Sequence, residues 1–97
     1  MAFVRCTPPG LPAKVISLIN DVTVIGRSAQ ADISVPSDGN CSRRHCQIRK
    51  WAGKYIVEDL ESHNGTFVNG AKVAKTHELA DGDLISIGDT TVLFKAK

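Results

Sequence analysis

The stretch Thr66-Phe67-Val68-Asn69-Gly70-Ala71-Lys72-Val73 decides how this chain reads. Two short β-prone runs flank an Asn-Gly pair, a dipeptide that accepts the positive φ angles of a two-residue hairpin turn. A hairpin is therefore predicted here, and the same grammar repeats outward from it. Towards the N-terminus come Tyr55-Ile56-Val57, Cys46-Gln47-Ile48, Ile33-Ser34-Val35, Val22-Thr23-Val24-Ile25 and Val15-Ile16-Ser17-Leu18-Ile19. Towards the C-terminus come Leu84-Ile85-Ser86-Ile87 and Thr91-Val92-Leu93-Phe94. Such residues suit a pleated, half-buried surface. Turn chemistry separates them at Asn20-Asp21, Asp38-Gly39-Asn40, Ala52-Gly53, Asn64-Gly65, Asp81-Gly82 and Gly88-Asp89. Strands at this spacing read as an all-β sandwich or barrel. The segment from Lys72 to Leu79 is the one place for a helix. It has no clear cap and no long apolar stripe, and is read as strand and loop.

The length of 97 residues fits one domain, 1–97, with 42% hydrophobic and 23% charged residues. That excludes a TIM barrel and a dinucleotide-binding enzyme with a second domain. No apolar run approaches the ~18 residues of a membrane span. Met1 to Pro9 hold no apolar core of a secretory signal, so an intracellular protein is expected. The three cysteines, Cys6, Cys41 and Cys46, are odd in number and form no CxxC, which predicts reduced thiols. An all-β scaffold this small leaves little room for a buried catalytic cleft. Function is expected on loops at one end.

The net charge of +2 indicates no bulk attraction to nucleic acid, but its distribution is uneven. Residues 27–54 hold six basic side chains (Arg27, Arg43, Arg44, Arg49, Lys50, Lys54) against Asp32 and Asp38, a net +4. Residues 55–97 hold four basic and seven acidic side chains, a net −3. A local anion site is implied in the middle of the chain. The basic stretch contains one exposed-type aromatic, Trp51, and no stacking ladder, so no nucleic-acid partner is inferred.

Three loop signatures fall in or beside that stretch: Gly26-Arg27, Ser42-Arg43-Arg44-His45, and Ser62-His63-Asn64-Gly65-Thr66-Phe67-Val68-Asn69-Gly70. Asp81-Gly82-Asp83-Leu84-Ile85-Ser86-Ile87-Gly88 follows. In this order, from about Val24 to Phe94, they resemble the forkhead-associated (FHA) domain family. Asp32-Ile33 and Glu58-Asp59-Leu60 extend the match. The resemblance implies a β-sandwich of two antiparallel sheets with about eleven strands, whose loops at one end bind phosphothreonine peptides. It implies a signalling-dependent protein–protein interaction module that takes the product of a Ser/Thr kinase. No enzymatic activity, no cofactor, no metal and no membrane partner are implied.

The chemistry of the residues agrees with that implication. A phosphate near neutral pH carries about −1.5 to −2 charge and three acceptor oxygens. Arg supplies a fixed fork of donors and stays charged. Arg27 matches the family's arginine after glycine, and Ser42 its phosphate-contacting serine. Arg43 stands where the family places a phosphate-facing Arg, Asn or Lys. Asn64 matches the asparagine that holds the ligand backbone, a task suited to a group with both donor and acceptor. His63 departs from the family, which often has Thr or Ser there; an imidazole beside a phosphate can add positive charge on protonation. Arg44 is assigned to the rim. Gly26, His45, Gly65 and Asn69 are expected to support the site, His45 by bonding loop backbone. Preference beyond the phosphothreonine is assigned to Asp38-Gly39, Asn40 and Cys41, with Ala71 to Lys75 as further candidates.

Other readings of the same residues are weaker. Cys41, His45 and Cys46 are zinc-ligand types, but adjacent strand residues face opposite ways and no fourth ligand offers itself. Ser42 with His45 lacks a nucleophile elbow and is followed by two arginines. The alternative of substance is a phosphate-independent interaction module of the same family.

Overall fold

Alternation of apolar and polar residues builds two sheets in the computed structural model, which describes residues 2–96. The strands in chain order are β1 (Phe3–Thr7), β2 (Lys14–Ser17), β3 (Val22–Gly26), β4 (Ile33–Ser34), β5 (Cys46–Trp51) and β6 (Lys54–Asp59). They continue with β7 (Thr66–Val68), β8 (Ala71–Lys72), β9 (Thr76–Glu78), β10 (Leu84–Ile87) and β11 (Thr90–Lys95). One sheet has six strands in the order β2-β1-β11-β10-β7-β8; the other has five, in the order β4-β3-β5-β6-β9. Every pairing is antiparallel except β3 with β4. The all-β sandwich read from the sequence is thus present. No helix among the described residues is long and apolar enough to cross a membrane.

The period-2 pattern sets the core. In β11, Thr90, Val92 and Phe94 point inward, and their intervening neighbours are only half-buried. Val4, Ile25, Ile48, Val57, Ile85 and Ile87 meet them from both sheets. Tyr55 tilts over Phe94, with ring centroids 5.4 Å apart. The hairpin at Asn69-Gly70 closes β7 on β8, with φ of 52° and 86° at the two turn residues.

Two strands lay outside the clusters singled out in the sequence. β1 interrupts its apolar positions with Arg5, and β9 is exposed throughout. Each is held by ladder partners: β1 by β11 and β2, β9 by β6. Chain direction fixes which loops meet. β3 ends at Gly26, β5 begins at Cys46, β6 ends at Asp59 and β7 begins at Thr66, so the loops joining them gather at one end of the sandwich.

Candidate functional site

The site begins with a close backbone crossing. The loop between β4 and β5 lies across the end of β3, where Arg27 N–H donates to the Ser42 carbonyl at 2.9 Å and Ser28 N–H to the Arg43 carbonyl at 3.1 Å. A Cβ on Gly26 would stand 2.0 Å from the Arg43 oxygen, so only glycine permits this approach. The Arg27 side chain turns the same way, its Nε donating to the Cys41 carbonyl at 3.1 Å. That bond sets the guanidinium and leaves its two terminal nitrogens for a ligand.

His45 joins this loop to the next. It is fully buried, and its Nδ1 accepts the Ser42 N–H at 3.0 Å. A ring nitrogen that accepts an amide carries no proton, so the proton sits on Nε2 and is donated to the Gly65 carbonyl at 2.7 Å. One imidazole therefore fixes both the serine loop and the Asn64-Gly65 turn. Gly65 itself has φ of +89°, a left-handed conformation that favours glycine.

Ser42 and His63 meet directly. The His63 N–H donates to Ser42 Oγ at 2.9 Å, so the hydroxyl proton of Ser42 is left for another acceptor. The His63 and Arg43 side chains are exposed beside it. Asn64 Nδ2 donates to the Asn40 carbonyl at 2.9 Å, which keeps its Oδ1 and second amide proton for other partners. Arg27, Ser42, Arg43, His63 and Asn64 thus lie on one continuous loop surface. Asn69 lies elsewhere: its side chain bonds Asp83 and Leu84 N–H, tying the hairpin to β10 at the opposite end. Among the described residues, Arg27, Arg43 and Arg44 form no ion pair, whereas Arg49 pairs with Glu58 and Lys54 with Glu78.

Two carboxylates hold the loops from inside, and one of them, Asp38, was expected from the sequence to set ligand preference but is turned into the core instead. Asp38 is fully buried and accepts from Asn40 N–H (3.0 Å), Asp89 N–H (2.8 Å) and the Thr90 hydroxyl (2.7 Å). Asp59 accepts the Ser62 and Thr66 hydroxyls and the Ser62 N–H. Burial disfavours its charge, but those hydrogen bonds outweigh burial and hold the Asp59 carboxyl below its usual range. In the sequence Asp38 read as turn chemistry and as a candidate for ligand preference, and Asp59 only as part of Glu58-Asp59-Leu60. The usable signal was the hydroxyls Ser62 and Thr66 spaced to turn back on Asp59.

The thiols take no part in this surface. Cys41 is pushed up to about 12, chiefly by burial and then by Asp38, and burial also raises Cys6 and Cys46. The three cysteines are free and buried. A cavity of about 280 Å³ lies beside the site against Ser28 and Arg44, and includes none of Arg27, Ser42 or Asn64.

A family model described as FHA domain matches residues 23–88, and the chain belongs to that family of binding modules. It is 42% identical over 73 residues to the FHA domain-containing protein FhaA of Mycobacterium tuberculosis (strain ATCC 25618 / H37Rv), covering 74% of this chain and 13% of that protein. The chain thus spans about an eighth of that relative's length. A domain solved in a structural and functional analysis of phosphothreonine-dependent FHA domain interactions superposes with a TM-score of 0.84 at 33% identity, covering 96% of this chain and 95% of that one. Mycobacterium tuberculosis EmbR, solved in complex with a low-affinity phosphopeptide, gives 0.88 at 30% identity over 99% of this chain and 24% of that chain.

Proposed function

We propose that this domain binds phosphothreonine in partner proteins, and that Arg27, Ser42 and Arg43 take the phosphate while Asn64 holds the peptide backbone. The observation that carries the reading is the surface at the β3 end. There an arginine fixed through Nε, a serine hydroxyl with its proton free, and a second arginine without an ion-pair partner lie together. Gly26, His45 and Gly65 hold the backbone under them. His63 lends its amide to Ser42, and its exposed side chain stands at the rim. The relatives solved with phosphopeptide or studied for phosphothreonine dependence support the same reading. It sets the domain in an intracellular compartment, where protein kinases make such a ligand, and gives the domain itself no catalytic role.

The magnitudes describe a reversible contact. Micromolar affinity, on the order of −8 kcal/mol, is expected. Fluorescence anisotropy with a phosphothreonine peptide library, set beside phosphoserine and unmodified controls, tests it. Wild type should bind phosphothreonine only, and Arg27→Ala should lose affinity by about tenfold to a hundredfold. A folded wild-type protein indifferent to the phosphate would instead make this a phosphate-independent interaction module.

A further inference from the structure

The loop surface has two chemically opposite borders. On the arginine side every side chain is a donor. On the other side a hydrogen-bonded row runs from Asn64 through Asn40 to Asp89. Asn64 Nδ2 donates to the Asn40 carbonyl at 2.9 Å, and Asn40 Nδ2 donates to Asp89 Oδ2 at 2.8 Å. The row is built in place. Buried Asp38 accepts the Asn40 and Asp89 amides, and a Cβ on Gly88 would stand 2.8 Å from the Asn40 carbonyl carbon. With the Asn40 amide turned to Asp89, the row shows solvent the Asn40 Oδ1 and the second Asp89 oxygen. Both are acceptors, and one is charged.

Resting on the phosphothreonine reading, we propose that the Asn40–Asp89 border is a specificity determinant: it selects phosphopeptides carrying Lys or Arg where the bound chain passes Asp89. An acidic residue at that place meets the Asp89 carboxylate and the Asn40 amide oxygen, with only the second Asn40 amide proton to answer it. A basic one supplies the missing donors. The phosphate is assigned to Arg27, Ser42 and Arg43 and the basic side chain to Asp89, so charge attraction and phosphate binding act at different points of the same peptide.

The test is a set of phosphothreonine peptides with Lys, Ala or Asp placed singly at each of four positions before and after the phosphothreonine. Binding is read by anisotropy for wild type, Asp89→Asn and Asp89→Lys. Asp89 is exposed and its backbone amide keeps its bond to Asp38, so the variants retain the fold. Lys should exceed Asp by about threefold at one position in wild type, as an exposed pair allows. The gap should shrink in Asp89→Asn, reverse in Asp89→Lys, and fade at high salt. A flat profile, an Asp preference, or a Lys preference unchanged by Asp89→Lys overturns the proposal while leaving phosphothreonine binding standing. Loss of all phosphothreonine binding in wild type overturns both.

Discussion

At the loop end of the sandwich a set of buried polar ties underlies the exposed ones; at the opposite end the ties are exposed. Asp38, His45, Thr66 and Thr90 all lie inside, each bonded to a different loop or strand end. At the far end Asn69 and Asp83 make equally short bonds in contact with water, and the β5–β6 turn at Ala52-Gly53 is open. The cations follow the opposite rule. On β5 and β6 Arg49 and Lys54 are paired with Glu58 and Glu78, while among the described residues Arg27, Arg43 and Arg44 have no ion-pair partner. A rigid backbone carrying unneutralised cations costs self-repulsion that folding alone does not require. Such a combination is what an anion-binding surface needs before its ligand arrives.

The sharpest way to break this contrast is His45→Ala. The change strands the Ser42 N–H and the Gly65 carbonyl and leaves a hole where a fully buried ring stood. A cost of about 3 kcal/mol is expected from the lost bonds and the cavity together. For a domain of this size that lowers Tm by about 12–20 °C in a calorimetric scan. Phosphopeptide affinity should fall with it even at temperatures where the variant is folded, because both loops lose their common tie. A variant that melts normally, or binds normally, would reduce His45 to ordinary core packing.

Much of this architecture was legible in the sequence, and the reasons are local. The Asn69-Gly70 hairpin and the alternation in β10 and β11 are properties of neighbouring residues, so pattern reading finds them. Arg27, Ser42 and Asn64 were visible because they sit in short signatures matched to a family. The inward roles of Asp38 and Asp59 were not: their partners Thr90 and Ser62 gain meaning only when loops fold together, and an Asp in a turn looks the same whether buried or wet. β1 was missed, and β9 was left unresolved within the strand-and-loop stretch from Lys72 to Leu79, for a related reason. The exposed Arg5 breaks up the one, the other has no buried residue, and partners far along the chain create both strands.

A second prediction sharpens the contrast through pH. The Asp59 carboxyl is held below its ordinary range when folded, because the Ser62 and Thr66 hydrogen bonds outweigh the effect of burial. A folded value below the unfolded one means stability that is present above the unfolded value, about 3.9. It is lost as pH falls through the folded value. Wild type should therefore destabilise below about pH 4 more steeply than Asp59→Asn, which has no proton to take up. Urea unfolding of both proteins at stepped pH reads the difference. Parallel curves would show that Asp59 contributes nothing ionised. Near neutral pH the variant should be the less stable, since an amide offers the two hydroxyls a weaker acceptor.

The smallest effect belongs to the far end and has the opposite sign. Ala52 sits at φ of 52°, a left-handed conformation that strains a residue with a Cβ and no side-chain bond to offset it. Asn visits that region more readily. Ala52→Asn should stabilise the domain by about 0.5 kcal/mol, a Tm rise of a few degrees. The turn is exposed and joins strand ends remote from Arg27 and Ser42, so phosphopeptide affinity should not move. Stabilisation without a change in binding would establish that the far end serves the fold alone. An altered affinity would mean that strain in the β5–β6 turn reaches the loops along β5, whose first residue follows His45, and the two ends would then be one mechanical unit.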